Sequence, residues 1–316
     1  MNKRIAFVFS GQGAQAVGMG KDLAAKYPAA AELFSKADTI LKRKISNVAF
    51  DGPEAELVKT ANCQPALYIH GLACLAAFRA EMGELSPVAA AGLSLGEFTA
   101  HAAAGSFTFE DGLKLVAERG RLMQEACEKM GGAMAALIGG DESAVRELAK
   151  ECDVDVANFN SVGQIVISGE KQKIEAAVAA AKDKGIRRAT LLNVAGAYHS
   201  RLMQPAADAL APFLTSTPVQ TPAFPVIANV TAAPVLEPAE IRANLAAQVT
   251  GSVHWTGTIE YLADVVKADL LIELGPGQVL AGLARRTRKD LPVISIADCA
   301  SLEAAIAELK GLAPVA

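Results

Sequence analysis

Pro87-Val88-Ala89-Ala90-Ala91-Gly92-Leu93-Ser94-Leu95-Gly96-Glu97 is a short apolar run that stops at a glycine, a serine and a second glycine before helical sequence resumes. A buried strand entering a sharp turn and then a helix gives this pattern. Similar punctuation recurs at both ends of the chain: residues 5–9 run into Ser10-Gly11-Gln12-Gly13, and residues 270–274 into Gly275-Pro276-Gly277. Helical sequence lies between them. Residues 24–41 are alanine-rich, and residues 65–78 open on a proline, which suits a first helical turn because its missing N–H has no intrahelical partner there. Strands alternating with helices predict an α/β fold on a parallel sheet.

Between residues 133 and 194 the rhythm changes to strand (133–138), helix (142–152), two strands (154–159 and 164–168), helix (171–184) and strand (188–194). That order is the split βαββαβ, ferredoxin-like unit. It is expected to form a small subdomain, residues 132–195, inserted into a larger α/β catalytic subdomain made of residues 1–131 and 196–316. Further on, residues 207–214 read as helix and residues 226–230 as strand.

Composition narrows the function. A chain of 316 residues can bury a large core. Its formal net charge of −4 argues against nucleic acid as a partner, since phosphate contacts call for a basic surface. The apolar run at residues 5–9 is too short for a signal peptide, no stretch has the length of a membrane span, and the expected location is the cytoplasm. Five cysteines are scattered without a Cys-x-x-Cys pair and without histidine at ligand spacing, so no metal site is expected and the thiols are read as reduced and mostly buried.

Gly92-Leu93-Ser94-Leu95-Gly96 fits Gly-x-Ser-x-Gly where a strand ends and a helix begins, the context of a nucleophile elbow. The alternative is Ser94 as a plain helix N-cap. A serine nucleophile needs a base, and the chain has four histidines. His101 lies seven residues along the helix, roughly 10 Å of rise away. His70 sits within an apolar helix, as a structural histidine would. His254 precedes Trp255 in a loop and remains open. His199, just past the last strand of the inserted unit, falls where the subdomains meet and is the expected base. On the helix of residues 113–127, Leu115, Val116, Leu122, Met123 and Ala126 share an apolar face with Arg119 in its middle. A buried guanidinium must find a partner. Either an internal carboxylate such as Glu97 supplies it, or a substrate carboxylate does. Gly11-Gln12-Gly13-Ala14-Gln15-Ala16 also matches a permissive dinucleotide pattern, but no acidic residue ends a second strand about 20 residues on. Backbone N–H donation to an anion near the elbow is the better reading of this loop.

Together these segments resemble the malonyl-CoA:acyl-carrier-protein transacylase family over nearly the whole chain. The resemblance rests on Phe9-Ser10-Gly11-Gln12-Gly13-Ala14-Gln15, Gly92 to Glu97, Glu118-Arg119-Gly120, Asn158-Phe159-Asn160, Gly196-Ala197-Tyr198-His199, Gln248 before Val253-His254-Trp255, and Glu273 to Gly277. It implies an α/β-hydrolase-like large subdomain and a Ser94–His199 dyad, with the histidine oriented at Gln248. It also implies an oxyanion hole from the backbone N–H groups of Gln12 and Leu95, and Arg119 on the substrate carboxylate. The implied reaction is ping-pong malonyl transfer from malonyl-CoA to the phosphopantetheine thiol of acyl carrier protein, with no cofactor. Two positions depart from the family pattern: Leu93 stands where histidine is usual, and Tyr198 where phenylalanine is. The basic run Arg285-Arg286-Thr287-Arg288-Lys289 is either a solvated helix face or a docking surface for the acidic carrier. A serine hydrolase or thioesterase on the same elbow, and a non-catalytic acyl- or dinucleotide-binding module, are the competing functions.

Overall fold

A computed structural model of the chain describes residues 3–311. In chain order its strands are β1 (Ile5–Phe9), β2 (Ala89–Gly92), β3 (Ala133–Ile138), β4 (Asp155–Ser161), β5 (Gln164–Gly169), β6 (Arg188–Leu191), β7 (Val226–Ile227), β8 (Pro234–Val235), β9 (Leu270–Leu274) and β10 (Val293–Ile296). Six of them make one sheet in the order β10-β9-β1-β2-β7-β8, parallel except for the β7–β8 pair. The other four make an antiparallel sheet, β4-β5-β3-β6, with two helices against it. The fold is therefore the expected mixed α/β arrangement with a parallel sheet and a separate antiparallel one.

Alternation along β1 explains how the large sheet is buried on both faces. Phe7 and Phe9 point into a core shared with the helix Thr60–Met82, where Phe78 meets Phe7 edge-on at 6.2 Å. Ala6 and Val8 point the other way, toward Trp255 and Ile259 of the helix Trp255–Asp264. With a side-chain period of two, a strand covered on both faces is apolar throughout, and β1 is.

Parallel pairing also places the functional loops. Phe9 sits opposite both Gly92 and Leu274, and Ala91 opposite Ile227. The residues that follow β1, β2 and β7, among them Gln12, Ser94 and Asn229, consequently emerge at one edge, the carboxyl ends where α/β sheets bind ligands. The small sheet is fastened beside that edge by backbone bonds. Phe159 N–H donates to Val253 O, and Val253 N–H to Ala157 O, each at 2.8 Å.

Several expected boundaries move. Residues 24–41 are two helices, Lys21–Lys26 and Pro28–Leu41. Tyr27 is extended at φ −114°, ψ 112°, as a residue before proline tends to be. The helix expected to open at Pro65 begins five residues earlier and carries that proline inside it. An interior proline leaves the carbonyl four residues back without its N–H donor. Arg43 replaces that donor, its Nη2 lying 2.7 Å from Ala61 O. The strand expected over residues 226–230 stops at Ile227, and the last strand of the small sheet stops at Leu191. Beyond Leu191 the chain folds back, Val194 N–H donating to Leu192 O.

Candidate active site

Ser94 lies between β2 and the helix Leu95–Ala103 with φ 54° and ψ −105°, a conformation L-residues seldom take. The flanking glycines are steric requirements. A Cβ on Gly92 would fall 1.9 Å from the carbonyl carbon of Gly96, and one on Gly96 would fall 2.2 Å from Phe9 O. The strained backbone is clamped by two amide side chains. Asn229 Oδ1 accepts Ser94 N–H at 2.6 Å while its Nδ2 donates to Gly92 O at 2.7 Å, and Gln248 Nε2 donates to Ser94 O at 2.9 Å. A strained residue persists only when its surroundings over-determine it, as these do.

His199 Nε2 is 2.8 Å from Ser94 Oγ, and its Nδ1 is 2.8 Å from the carbonyl oxygen of Gln248. A carbonyl only accepts, so Nδ1 carries the hydrogen and Nε2 presents its lone pair to the serine. Burial, reinforced by the nearby Arg119 charge, pushes the imidazole down to about 4. It is therefore neutral near pH 7. The other histidines are occupied elsewhere: His101 Nδ1 bonds Ser106 Oγ at 2.9 Å, His70 Nε2 bonds Ala297 O at 2.9 Å, and His254 stacks on Phe159.

Arg119 is wholly buried on the helix Phe109–Met130. Its Nη1 donates to Gln64 Oε1 at 2.8 Å; its Nη2 donates to Ser94 Oγ at 3.0 Å and to Gln248 Oε1 at 2.9 Å. Nε has no partner among the described residues. Burial lowers the guanidinium to about 10, so it stays charged at neutral pH. Glu97, the internal carboxylate considered from sequence, does not bond to it. Glu97 Oε2 instead accepts from Gln248 Nε2 at 2.6 Å and from Asn229 N–H at 3.1 Å, and burial raises the carboxyl to about 7. Gln248 thus stands between the two charges.

A cleft of about 260 Å³ opens onto Ser94 and His199, lined among others by Gln12, Asn158, Tyr198 and Leu283, so that it draws on both sheets. Leu95, as the first helical residue, has an N–H with no intrahelical acceptor. Leu93 lines the same cleft and packs on the core around Trp255. Sequence reasoning missed Asn229 and Gln64. Their only sequence signals are an amide just past an apolar strand and an amide in the polar first turn of a buried helix. Among the described residues no group of three or more His, Cys, Asp or Glu could hold a metal ion, and no helix is long and apolar enough to cross a membrane. Cys63, Cys74 and Cys127 are buried, and burial raises all three thiols. In the basic run, Arg288 pairs with Asp264 and Asp290, whereas Arg285, Arg286 and Lys289 are exposed, Arg286 bonding the neutral Gln164.

A neutral imidazole on a strained serine, with a buried cation 3.0 Å from the same oxygen, is machinery for handling acyl groups. Residues 6–310 match the acyl transferase domain family. A malonyl CoA-acyl carrier protein transacylase of Bacillus subtilis (strain 168) is 41% identical over 313 residues, which cover 97% of this chain and 98% of that protein. The chain belongs to the malonyl CoA-acyl carrier protein transacylase family. Among solved structures, an acyl-carrier-protein-S-malonyltransferase from Bartonella henselae is 41% identical, with a TM-score of 0.91 over 97% of this chain and 99% of that one. A malonyl-transacylase solved in complex with a type II PKS acyl-carrier protein is 39% identical, with a TM-score of 0.91 over 96% and 99% of the two chains.

Proposed function

We propose that the protein transfers malonyl from malonyl-CoA to the phosphopantetheine thiol of acyl carrier protein, supplying fatty acid synthesis, through an acyl-serine at Ser94. His199 Nε2 takes the Ser94 proton as Oγ attacks the thioester carbonyl. The backbone N–H groups of Gln12 and Leu95 receive the negative charge of the tetrahedral intermediate. The C–S bond then breaks, and the CoA sulfur leaves with the proton from His199. The carrier thiol gives its proton to His199, attacks the acyl-serine, and releases Ser94 by the reverse route. The Gln248 carbonyl holds the imidazole without a carboxylate's charge.

The observation that carries this reading is Arg119, a fully buried guanidinium beside Ser94 Oγ with no bonded carboxylate among the described residues. An unpaired buried cation is costly, and a planar fork beside the reacting oxygen suits an acyl group that ends in a carboxylate. A hydrolase acting on neutral acyl groups has no use for it. The small sheet, formed wholly within residues 133–191, supports a division into an inserted subdomain of residues 132–195 and a large one of residues 1–131 and 196–316, whose first two and last five residues lie outside the described range. The location consistent with this role is the cytoplasm.

Incubation with malonyl-CoA should add one malonyl group to the intact protein by mass, and Ser94→Ala should abolish the adduct. An adduct that survives on the folded variant would move the nucleophile elsewhere. Release of free malonate in place of transfer to the carrier thiol would make the protein a hydrolase.

A further inference from the structure

The loop after β1 is held by a polar face that the acyl-transfer steps do not use directly. Thr60, Cys63 and Gln64 stand at i, i+3 and i+4 on the helix Thr60–Met82 and share one side of it. All three reach the loop. Gln12 Nε2 donates to the Tyr198 hydroxyl at 3.3 Å and to Thr60 Oγ1 at 3.5 Å, and those two hydroxyl oxygens are 2.5 Å apart. Gln64 Nε2 donates to Gln12 Oε1 at 3.4 Å. Cys63 Sγ and Gly13 N–H both donate to Gln15 Oε1, at 3.2 and 2.7 Å.

The bonds have a direction. Arg119 can only donate, so its bond to Gln64 Oε1 turns the NH₂ of Gln64 toward Gln12. Gln12 must then accept with Oε1, which turns its own NH₂ toward the hydroxyls of Tyr198 and Thr60. The chain of amides starts at the buried cation and ends at two buried hydroxyls. Tyr198 immediately precedes His199, so the loop bearing Gln12 and the loop bearing the base are joined at this point.

We propose that the hydroxyls of Tyr198 and Thr60 are positioning groups that terminate this relay and fix the backbone N–H of Gln12 where the developing oxyanion needs it. The proposal rests on the reading of Gln12 as an oxyanion donor. Each of the three contacts of the Gln12 side chain is long for a hydrogen bond, at 3.3–3.5 Å, so the side chain is held by the set and not by any single member. Because the oxyanion is common to every acyl donor, the effect falls on the rate of Ser94 acylation, whatever the acyl group, and spares binding.

The test is a double-mutant cycle on the full-length protein with Tyr198→Phe and Thr60→Val, read as kcat and KM for acylation by malonyl-CoA and acetyl-CoA. Removing one neutral hydrogen bond predicts a kcat loss of about three- to tenfold for either single variant. KM should stay within about twofold, the losses on the two donors should match, and the double variant should be no slower than the slower single one. Thr60→Ser, which keeps the hydroxyl, should retain the wild-type rate. Unchanged kcat in both single variants, a loss confined to KM, or a loss confined to the malonyl donor would overturn the proposal. The burst of p-nitrophenol from p-nitrophenyl acetate reads the same cycle independently of the substrate. If malonyl-CoA leaves the wild type unlabelled, the functional reading fails while the ester burst still decides the relay.

Discussion

In the proposed transfer, Arg119 is the side chain that distinguishes one acyl group from another. Malonyl and acetyl thioesters share the reacting carbonyl and differ by a carboxylate, and charge-assisted hydrogen bonds to a carboxylate contribute about 1.5–3 kcal/mol each. Two such bonds predict that Arg119→Gln lowers kcat/KM for malonyl-CoA by about a hundredfold or more. Acetyl transfer should fall far less, or rise. Arg119→Lys should not restore the malonyl rate, because an ammonium is a point charge and not a fork. Equal losses on both donors would reduce Arg119 to a structural cation. The same substitution carries a pH signature. The imidazole of His199 must be neutral to act, and its folded value of about 4 keeps it so down to mildly acidic pH. Loss of the Arg119 charge removes the second cause of that depression, so the acid limb of acylation by acetyl-CoA should move upward in Arg119→Gln. An unmoved limb would mean that burial alone sets the base. Ser94, His199 and Arg119 were legible in sequence because each stands out locally: an elbow, a histidine at a junction, a charge on an apolar face. Asn229 holds the elbow from 135 residues away, and a lone buried amide has no periodicity to announce it; Gln248, 154 residues away, entered only through the family resemblance.

The element that holds Ser94 in its strained conformation is the turn from β2 into the helix Leu95–Ala103. Gly92→Ala would set a Cβ against the backbone of Gly96 and Glu97 across that turn, with no flexible side chain to give way. Overpacking of this kind costs about 1–3 kcal/mol or more. The variant should lose several degrees of Tm and most of its Ser94 acylation. Gly282→Ala is the contrast: its Cβ meets open space within the helix Val279–Thr287, and exchanging glycine for alanine there should stabilise by about 0.5–1 kcal/mol. Calorimetry on the pair, with mass spectrometry of the adduct, checks both. If both variants melt alike, the steric account of the elbow is wrong. At this scale the sequence indicated the class of most elements and missed their ends, because what moves an end is distant: the donor that Arg43 supplies to Ala61 is what lets a helix run through Pro65.

Across the whole molecule, the cleft between the sheets sets where a carrier must stand. Leu283 lines it, and the exposed Arg285 follows on the same helix, with Lys289 just beyond its end. On a chain of net charge −4 this is a local basic patch, suited to an acidic carrier. Arg288 is already neutralised by Asp264 and Asp290, so the usable charge is smaller than the sequence run implies. Charge reversal at Arg285 and Lys289 should raise KM for the carrier protein, more at low salt, and leave acylation by malonyl-CoA unchanged. Equal change in both half-reactions would remove the docking role.

An intermediate that thiols open is also exposed to the thiols of its own chain. Cys63 reaches Gln15 in the loop beside Ser94, and its sulfhydryl is held at about 12; Cys127, close to Tyr198, is held at about 11. The nucleophile in thioester exchange is the thiolate, and at neutral pH these sulfurs are almost entirely protonated. Burial, usually credited with stability, here supplies chemical silence: the cysteines packed against the loops of Gln15 and Tyr198 are kept from intercepting a bound acyl group.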